Sequence, residues 1–270
     1  MIPVLIVPVL NRSDLLHEML DSIDHPIGQV IVVDNGTAIE PHDLPWKDGY
    51  HVIQPGWNLG VSGGWNLGLK ASPAAPWWLI ANSDITFGRG DLAQLEAMVD
   101  PASNDHYFML GMALFAITRH TLRDGGYFDE NFHPAYDEDL DWHRRALLAG
   151  SRRVDPPFTG AHVGSATIYS DSGYRRQNGA THAANDAYYA RKWGGSKLGG
   201  ETTRAQRKWL REIANTMEVL TLRPRYADNP IGVFQIKWME DEEPDWDDLS
   251  TYISGMSDAE RKEFFEKAKF

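Results

Sequence analysis

The chain has 270 residues, enough for one large α/β domain or for one domain with a sizeable appendage. It contains no cysteine, so disulfide frameworks, thiolate zinc sites and cysteine nucleophiles are excluded. With 38 acidic and 26 basic residues the formal net charge is −12, which argues against a nucleic-acid partner because a duplex-binding surface needs many phosphate contacts.

The N-terminal part of the chain predicts a strand, a helix and a second strand. The runs "VLIVPVL" and "QVIVVDNG" are apolar and rich in β-branched residues, the pattern of strands that are covered on both faces. Between them, "NRSDLLHEMLDSI" has apolar residues at helical spacing. Because such crossovers are right-handed, we expect the two strands to be parallel neighbours. The apolar runs are too short to span a bilayer, so no transmembrane segment is predicted.

The same alternation continues through the middle of the chain. "YHVIQ" and "PWWLIAN" predict two more strands, with a glycine-opened helix, "GGWNLGLKAS", between them. A short helix, "DLAQLEAMV", a buried strand or strand pair, "HYFMLGMALFAI", and a helix ending at Gly150, "DEDLDWHRRALLAG", follow. The pattern predicts an α/β fold with a doubly wound sheet. Asp34 and the run Asn82, Ser83 and Asp84 fall at carboxyl ends of strands, where such sheets bind ligands.

A change of composition after about Gly194 predicts a domain edge. The glycine-rich stretch "GGSKLGGETT" is typical of a flexible joint. We therefore divide the chain into a first domain, residues 1–195, and a helical C-terminal extension, residues 196–270. The extension contains the acidic segment "MEDEEPDWDD", which is interpreted as a solvated charge run.

The glycine-rich segment "NLGVSGGWNLGLK", Asn58 to Lys70, leaves two interpretations open. It lacks the G-K-[ST] ending of a P-loop, and no G-x-G-x-x-G sequence opens the first helix. Backbone N–H groups at the start of the following helix would suit an anion such as a diphosphate. Alternatively, Gly63 and Gly64 only allow the helix to pack tightly on the sheet.

The segment "YDEDLDWHRR" brings four carboxylates together: Asp137, Glu138, Asp139 and Asp141. An EF-hand is excluded because Trp142 stands where the calcium loop needs glycine. Alternate residues of a helix point to different sides, so we expect one working carboxylate here, with the others either as partners of the helix N-terminus or as groups that support the working carboxylate. Taken alone, the segment could also be a merely acid-rich first helical turn.

Four features occur in a fixed order: "VIVVDNGT", "NLGVSGGWNLGL", "ANSD", and "FDENFHPAYDEDLDWHRRALLAG" followed by "AHVGSAT". This ordered set resembles the family-2 inverting glycosyltransferases of the GT-A fold, and most closely their rhamnosyl- and galactofuranosyl-transferase branch. The resemblance covers roughly Pro3 to Ile168. It implies a Rossmann-like, mostly parallel central sheet flanked by helices. It also implies an enzyme that moves a hexosyl or pentosyl group from a nucleotide-diphosphate sugar to an acceptor hydroxyl, with inversion of the anomeric centre.

The resemblance assigns residues to the donor. Asp34 would accept a hydrogen bond from the base of a UDP- or dTDP-sugar, and Asp84 with His162 would hold a divalent metal ion, Mn²⁺ or Mg²⁺. Asn82 stands where the family has the first aspartate of its D-x-D signature, so a lower metal affinity is expected. The residues that the resemblance places against the donor are Pro8, Asp34, Asn58, Gly60, Gly64, Asn66, Asn82 and Ser83.

The resemblance also makes Asp139 the catalytic base, which removes the proton from the acceptor hydroxyl, with Glu138 beside it to orient the acceptor. The acceptor class is a glycan, a lipid-linked molecule or a protein. A homo-oligomeric state is compatible with the sequence, and the chain is expected to be cytoplasmic.

Two other functions share this layout. A non-catalytic protein that binds nucleotide sugars or carbohydrates on the same fold is the first, and Asn82 is its one hint. A nucleotidyltransferase is the second, but the chain lacks an N-terminal G-x-G-T-R-type loop. The presence of Asp84, Asp139 and His162 favours the enzyme.

Overall fold

The computed structural model describes residues 1–36, 49–164 and 172–193. The strands are β1 (Ile2–Val9), β2 (Ile27–Asp34), β3 (Tyr50–Ile53), β4 (Trp77–Ala81), β5 (Ile85–Thr86), β6 (Asp105–Phe108), β7 (Leu114–Thr118), β8 (Arg152–Val154) and β9 (Ala161–His162). The helices are α1 (Ser13–Asp21), α2 (Gly60–Ala71), α3 (Asp91–Met98), α4 (Arg119–Gly125), α5 (Glu138–Leu148) and α6 (Ser172–Trp193). The predicted C-terminal extension, residues 196–270, lies outside the described residues.

A seven-stranded sheet forms the centre of the fold, with strand order β3-β2-β1-β4-β7-β6-β8. The first four of these strands are parallel, which confirms the predicted parallel pairing of β1 with β2. Strand β7 runs antiparallel to both of its neighbours, β4 and β6. The carboxyl ends of β1, β2, β3 and β4 therefore lie along one edge of the sheet.

Helices cover both faces of this sheet. Leu5 and Val7 of β1 pack in one hydrophobic cluster with residues of α1 and α3. Val4 and Ile6, which point to the opposite side, pack in a second cluster with residues of α2, α4 and α5. Burial on both faces explains why the strands appear in the sequence as continuous apolar runs and do not alternate with polar residues.

Of the short elements, β6 and β7 were predicted as one strand or a pair, whereas α4, β5 and β9 were not predicted. The predicted strand or strand pair at "HYFMLGMALFAI" is an antiparallel pair, β6 and β7. Helix α4 follows directly and is capped by Thr118, whose side chain accepts a hydrogen bond from the Thr121 N–H. Strands β5 and β9 form a separate two-stranded sheet. Each of these elements has at most seven residues, too few for a readable periodicity.

Helix α6 is the longest element described and also had no predicted counterpart. It packs against the segment before α5 through a third hydrophobic cluster made of Phe132, Tyr189 and Trp193. None of the helices in the described ranges combines the length and the apolar character that crossing a membrane requires.

Candidate functional site

Asp34 is the last residue of β2, and its carboxylate is fixed at the carboxyl edge of the sheet. The side chain is fully buried, and Oδ1 accepts a hydrogen bond from the Gly36 N–H at 3.0 Å. Oδ2 accepts another from Nε2 of Gln54 at 3.2 Å. Sequence analysis missed Gln54, although a polar residue directly after strand β3 occupies a position analogous to that of Asp34. The two strand ends thus meet through their side chains.

Asn35, the next residue, connects the strand ends to the start of α2. Its N–H donates to the carbonyl of Val9 at 2.8 Å, and its side-chain amide donates to the carbonyl of Gly60 at 3.0 Å. Its Oδ1 accepts from the Leu59 N–H at 3.2 Å. Asn35 therefore holds three segments in register, a role that the motif "VDNG" could have indicated.

The glycines at the start of α2 allow a close approach of backbones. Gly60 has φ +72°, and a Cβ added there would lie 2.7 Å from the carbonyl oxygen of Pro134. A Cβ on Gly64 would lie 2.9 Å from Cβ of Pro8 on strand β1. Asn58 accepts a hydrogen bond from the Gly60 N–H at 2.8 Å and so fixes this turn. The tight-packing interpretation therefore holds at Gly64, one of the two glycines for which it was made, and Gly60 allows a further close approach.

The diphosphate interpretation of the same segment receives less support. The N–H groups of Leu59, Gly60 and Val61 all donate to acceptors within the protein: Asn35 Oδ1, Asn58 Oδ1 and the Pro134 carbonyl, the last at 2.7 Å. The first turn of α2 therefore offers an anion fewer unpaired donors than an ordinary helix N-terminus does.

Asn66 is buried on α2, and its amide binds the loop before α5. Its Nδ2 donates to the carbonyl of Phe128 and to Oε1 of Glu130, both at 2.8 Å, and its Oδ1 accepts from the Phe128 N–H at 2.9 Å. A contact between Asn66 and the donor stays a prediction, and it would have to replace one of these bonds. Burial raises the pKa of Glu130 to about 7, even though the Asn66 amide favours its ionised form.

Asp84 and His162 are the two predicted metal ligands, and the fold brings them together. Asp84 follows Asn82 and the buried Ser83 in the turn between β4 and β5. Strand β5 pairs with β9 so that Ile85 lies opposite His162. Oδ1 of Asp84 and Nε2 of His162 are 3.2 Å apart, with side-chain exposures of 12% and 27%. An aspartate and a histidine that are far apart in the sequence thus present adjacent ligand atoms to solvent.

Asp91 holds the loop that precedes β9. Its buried carboxylate accepts hydrogen bonds from the Gly88 N–H and the Thr159 hydroxyl, each at 2.8 Å, and from the Gly160 N–H at 3.1 Å. A Cβ on Gly160 would overlap the carbonyl oxygen of Thr86. Asp91 therefore positions the strand that carries His162, and in the sequence it showed only as the first residue of a helix.

The base segment, residues 132–139, ends in the first turn of α5. The two predicted catalytic carboxylates, Glu138 and Asp139, lie there in different environments. Glu138 is only 5% exposed, and burial raises its pKa well above the ordinary value, with a further increase from the Asp139 carboxylate. Burial therefore favours the neutral form of Glu138 over the ionised one. Asp139 is partly exposed, and its Oδ1 accepts from the Leu140 N–H at 2.7 Å. Asp139 is thus the more exposed of the two carboxylates.

The base segment contacts the start of α2. The carbonyl of Pro134 accepts the hydrogen bond from Val61 and lies against Gly60. Because α2 begins just after the carboxyl end of β3, this contact places the base segment at the edge of the sheet that carries Asp34.

A buried ionic network fixes α5 and the loop before it to α6. Nζ of Lys192 lies 2.6 Å from Oδ2 of Asp129 and 2.7 Å from Oδ1 of Asp141, and all three side chains are at most 2% exposed. Asp141 also accepts from Nε of Arg145 and from Nε1 of Trp193, both at 2.9 Å. Burial opposes ionisation of Asp129, but the Lys192 ammonium outweighs it and lowers the pKa of Asp129. Asp141 lies in the first turn of α5, as expected, and its side chain also binds the buried Lys192, Arg145 and Trp193.

Comparison with known proteins gives a family and a fold. The profile described as glycosyl transferase family 2 matches residues 4–148. GalNAc-T7, solved with UDP, GalNAc and Mn²⁺, is 11% identical and superposes with a TM-score of 0.51, over 83% of this chain and 57% of that chain. This likeness, together with the family match, confirms the predicted GT-A-type α/β fold.

Other solved structures share less of the geometry. TarS of S. aureus is 17% identical with a TM-score of 0.48, over 83% of this chain and 82% of that chain. Glucosyl-3-phosphoglycerate synthase of Mycobacterium tuberculosis, solved with Mn²⁺, uridine diphosphate and phosphoglyceric acid, is 15% identical with a TM-score of 0.44, over 68% and 78% of the two chains. Comparison with curated protein sequences finds no match.

Proposed function

The chain belongs to glycosyl transferase family 2, and we propose that it transfers a sugar from a nucleotide-diphosphate sugar to an acceptor hydroxyl with inversion of the anomeric centre. One observation carries the proposal: the ligand atoms of Asp84 and His162 lie 3.2 Å apart beyond the end of β4. This pair shares the carboxyl edge of the sheet with Asp34 and with the base segment that leads to Asp139.

On the donor side, Asp34 accepts from the base of the nucleotide. Its carboxylate is already oriented by Gly36 and Gln54, so little conformational entropy is lost when a base binds. The motif order resembles the rhamnosyl- and galactofuranosyl-transferase branch, which supports a UDP- or dTDP-sugar as the donor. Pro8 and Gly64 shape the floor of this region through their close contact.

The residues Asp84 and His162 fit a divalent ion. One carboxylate oxygen and one imidazole nitrogen, adjacent and partly exposed, are suitable neighbouring ligands for Mn²⁺, and the oxygen also suits Mg²⁺. Such an ion, when bound, neutralises charge on the departing diphosphate. Asn82 adds a neutral amide near this pair where the family has a carboxylate, so a modest metal affinity is proposed.

On the acceptor side, Asp139 acts as the general base. Its carboxylate takes the proton of the acceptor hydroxyl while that oxygen bonds to the anomeric carbon. The bond from this carbon to the diphosphate oxygen breaks on the opposite face, and the nucleoside diphosphate leaves with the electron pair. Attack from the opposite face inverts the anomeric centre.

Glu138 is not the proton acceptor in this step. Burial favours the neutral form of the Glu138 carboxyl group, and a neutral carboxyl group is a poor proton acceptor. We assign to Glu138 a positioning role at the first turn of α5, where it fixes the orientation of Asp139.

A second candidate function is a nucleotide-sugar binding protein without turnover, which Asn82 alone favours. The same experiment tests both functions: a panel of nucleotide sugars, including UDP- and dTDP-sugars, is screened for thermal stabilisation and slow donor hydrolysis, with and without Mn²⁺. A ligand that binds only the folded protein must raise its melting temperature.

The expected result is one donor that stabilises the protein more strongly with Mn²⁺ and is slowly hydrolysed. Asp84→Ala should abolish the Mn²⁺-dependent part of the stabilisation. The matched control is Asp155→Ala, which removes an exposed carboxylate that pairs with Arg153 and should change nothing. Stabilisation without any hydrolysis would favour the binding protein, and a panel without a single stabilising nucleotide would contradict the proposal.

A further inference from the structure

Three metal-ligating side chains converge where α6 lies against the start of α5. Ligand atoms of Asp137, His182 and Asp186 all lie within 4.8 Å of one another. Asp137 is the N-cap residue of α5 and is only 2% exposed. The side chains of His182 and Asp186 are 41% and 28% exposed, so solvent and ions reach the cluster from one side.

The geometry of the cluster is set by two helices. His182 and Asp186 are four residues apart on α6 and project from the same face, with Nε2 and Oδ2 3.9 Å apart. The ring of Tyr136 packs against the His182 imidazole, with 4.5 Å between centroids. Asn185 of α6 donates to the carbonyls of Ala135 and Tyr136 at 2.8 and 3.1 Å. The loop that carries the third ligand is thus fixed to the helix that carries the other two.

We propose that Asp137, His182 and Asp186 form a second divalent-cation site, separate from the pair Asp84 and His162. A cation at the mouth of the cluster would lie next to two carboxylates and an imidazole, the side-chain types that ligate divalent metals. One nitrogen and two oxygen ligands match Zn²⁺, which is commonly held by three protein ligands with a water in the fourth position. Mg²⁺ and Ca²⁺ are poorer fits because they prefer oxygen ligands alone.

This site has a structural consequence for the base segment. Asp137 lies two residues before Asp139, so a cation held here joins α6 to the segment that carries the base. Further along α6, Lys192 pairs with Asp129 and Asp141, which lie on either side of the base segment. The proposal does not depend on glycosyl transfer, since the cluster can bind a cation whatever the reaction.

The test uses untagged full-length protein, stripped with a chelator and titrated with ZnCl₂ in a calorimeter. The background variant Asp84→Ala/His162→Ala removes the other pair of ligands. On this background we expect one equivalent of Zn²⁺ to bind. Adding His182→Ala should weaken this binding by more than about tenfold, because losing even an indirect partner of a metal commonly costs that much.

The matched control is His17→Ala on the same background. His17 lies on α1, outside the cluster, and its loss should leave the titration unchanged. The proposal is overturned if the background protein binds no equivalent of Zn²⁺, or if His182→Ala binds Zn²⁺ with the same affinity as the background. In either case the cluster is a set of mutually paired side chains without a metal.

A second measurement does not depend on the folding of the His182→Ala variant. X-ray absorption at the zinc edge, on the background protein with one equivalent of Zn²⁺, should show one imidazole together with oxygen ligands. A coordination shell without imidazole would overturn the assignment. The milder variant Asp186→Asn, which keeps the shape and loses the charge, should weaken Zn²⁺ binding in the same direction as His182→Ala.

Discussion

The two sides of the site are built in different ways. On the donor side, comprising Asp34, Asp84 and His162, the side chains sit on strands or directly after them and bond to nearby strand ends and turns. On the base side, comprising residues 129–141 and α6, buried charges pair across long sequence separations, as Lys192 does with Asp129 and Asp141. The central sheet therefore organises the donor side, whereas docking of one helix organises the base side.

The helix that fixes the base side lies outside the part of the chain that the family profile matches. The family match ends at residue 148, and α6 begins at Ser172. The proposed base, Asp139, lies within the matched region, but the helix that fixes its segment lies beyond it. We therefore expect variants on the donor side to change ligand affinity, and variants on the base side to change turnover or stability.

The largest effect is predicted for Asp139→Asn, which removes the basic lone pair and keeps the shape. Turnover should fall by about 10²- to 10⁴-fold, the usual contribution of a positioned base, while nucleotide affinity stays near the wild-type value. Single-turnover transfer rates and donor affinity, measured on the same preparation, separate the two quantities.

Glu138→Gln is the control for this variant. Because burial raises the pKa of Glu138 well above its ordinary value and so favours the neutral form, glutamine imitates that form and should retain most of the activity. A loss in Glu138→Gln as large as that in Asp139→Asn would require a different base.

The second prediction concerns Lys192→Met, which leaves Asp129 and Asp141 buried without this cation. Removing one partner of a buried ion pair typically costs about 3–5 kcal/mol of unfolding free energy, measured by urea denaturation. Arg152→Met is the control, because Arg152 pairs with Asp105 at the same 2.7 Å that separates Lys192 from Asp141, yet its side chain is 77% exposed. Its loss should cost less than about 1 kcal/mol. Equal losses of unfolding free energy in the two variants would contradict the claim that the buried charges around Lys192 stabilise the base side.

The third prediction tests the contact between α2 and the base side, where Asn66 of α2 donates a hydrogen bond to Glu130. Because the folded-state pKa of Glu130 is raised to about 7 from the ordinary value of 4.5, folding favours its protonated form. This contribution is complete below about pH 4.5 and is lost as the pH rises through about 7.

The shift corresponds to at most about 3 kcal/mol. Between pH 5 and pH 8, the unfolding free energy of the wild type should therefore fall by up to this amount relative to Glu130→Gln, which keeps the hydrogen bond to Asn66 and cannot ionise. Parallel pH profiles of the two proteins, obtained from urea denaturation, would show that Glu130 is ionised throughout.

The smallest effect is expected for Asp34→Ala on the donor side. The loss of a charge-assisted hydrogen bond to the base should weaken nucleotide affinity by about 1.5–3 kcal/mol, measured by calorimetry with the free nucleoside diphosphate. Gln54→Ala should cost less, because the Asp34 carboxylate keeps its bond from Gly36. Unchanged affinity in Asp34→Ala would remove this residue from the donor site.

The same contrast explains how much the sequence could predict. Strands β1, β2 and β4 follow from local apolar runs, and Asp34 and Asp84 follow from their positions at strand ends. Strand β9 has two residues, so only the resemblance to the family pointed to His162. The sequence cannot indicate the role of Asp91, because its partners lie in a distant loop.

Helix α6 escaped prediction for a different physical reason. Its buried positions include Thr181, Asn185 and Lys192 among the apolar ones, so no hydrophobic stripe marks the packed face. Asn185 is buried because it binds the base segment, and Lys192 because it pairs with Asp129. A helix whose packed face is selected by hydrogen bonds and ion pairs has no periodic signal in the sequence alone.

The central claim is an inverting transfer in which Asp139 activates the attacking oxygen. The most direct test follows the slow hydrolysis of an α-linked nucleotide sugar that stabilises the protein, by ¹H NMR. Water then takes the place of the acceptor, so the anomer that forms first reports the face of attack before mutarotation mixes the two. The account predicts that the β anomer of the free sugar appears first in the wild type and that hydrolysis is slowed strongly in Asp139→Asn. An α anomer formed first would contradict inversion and the role of Asp139 with it.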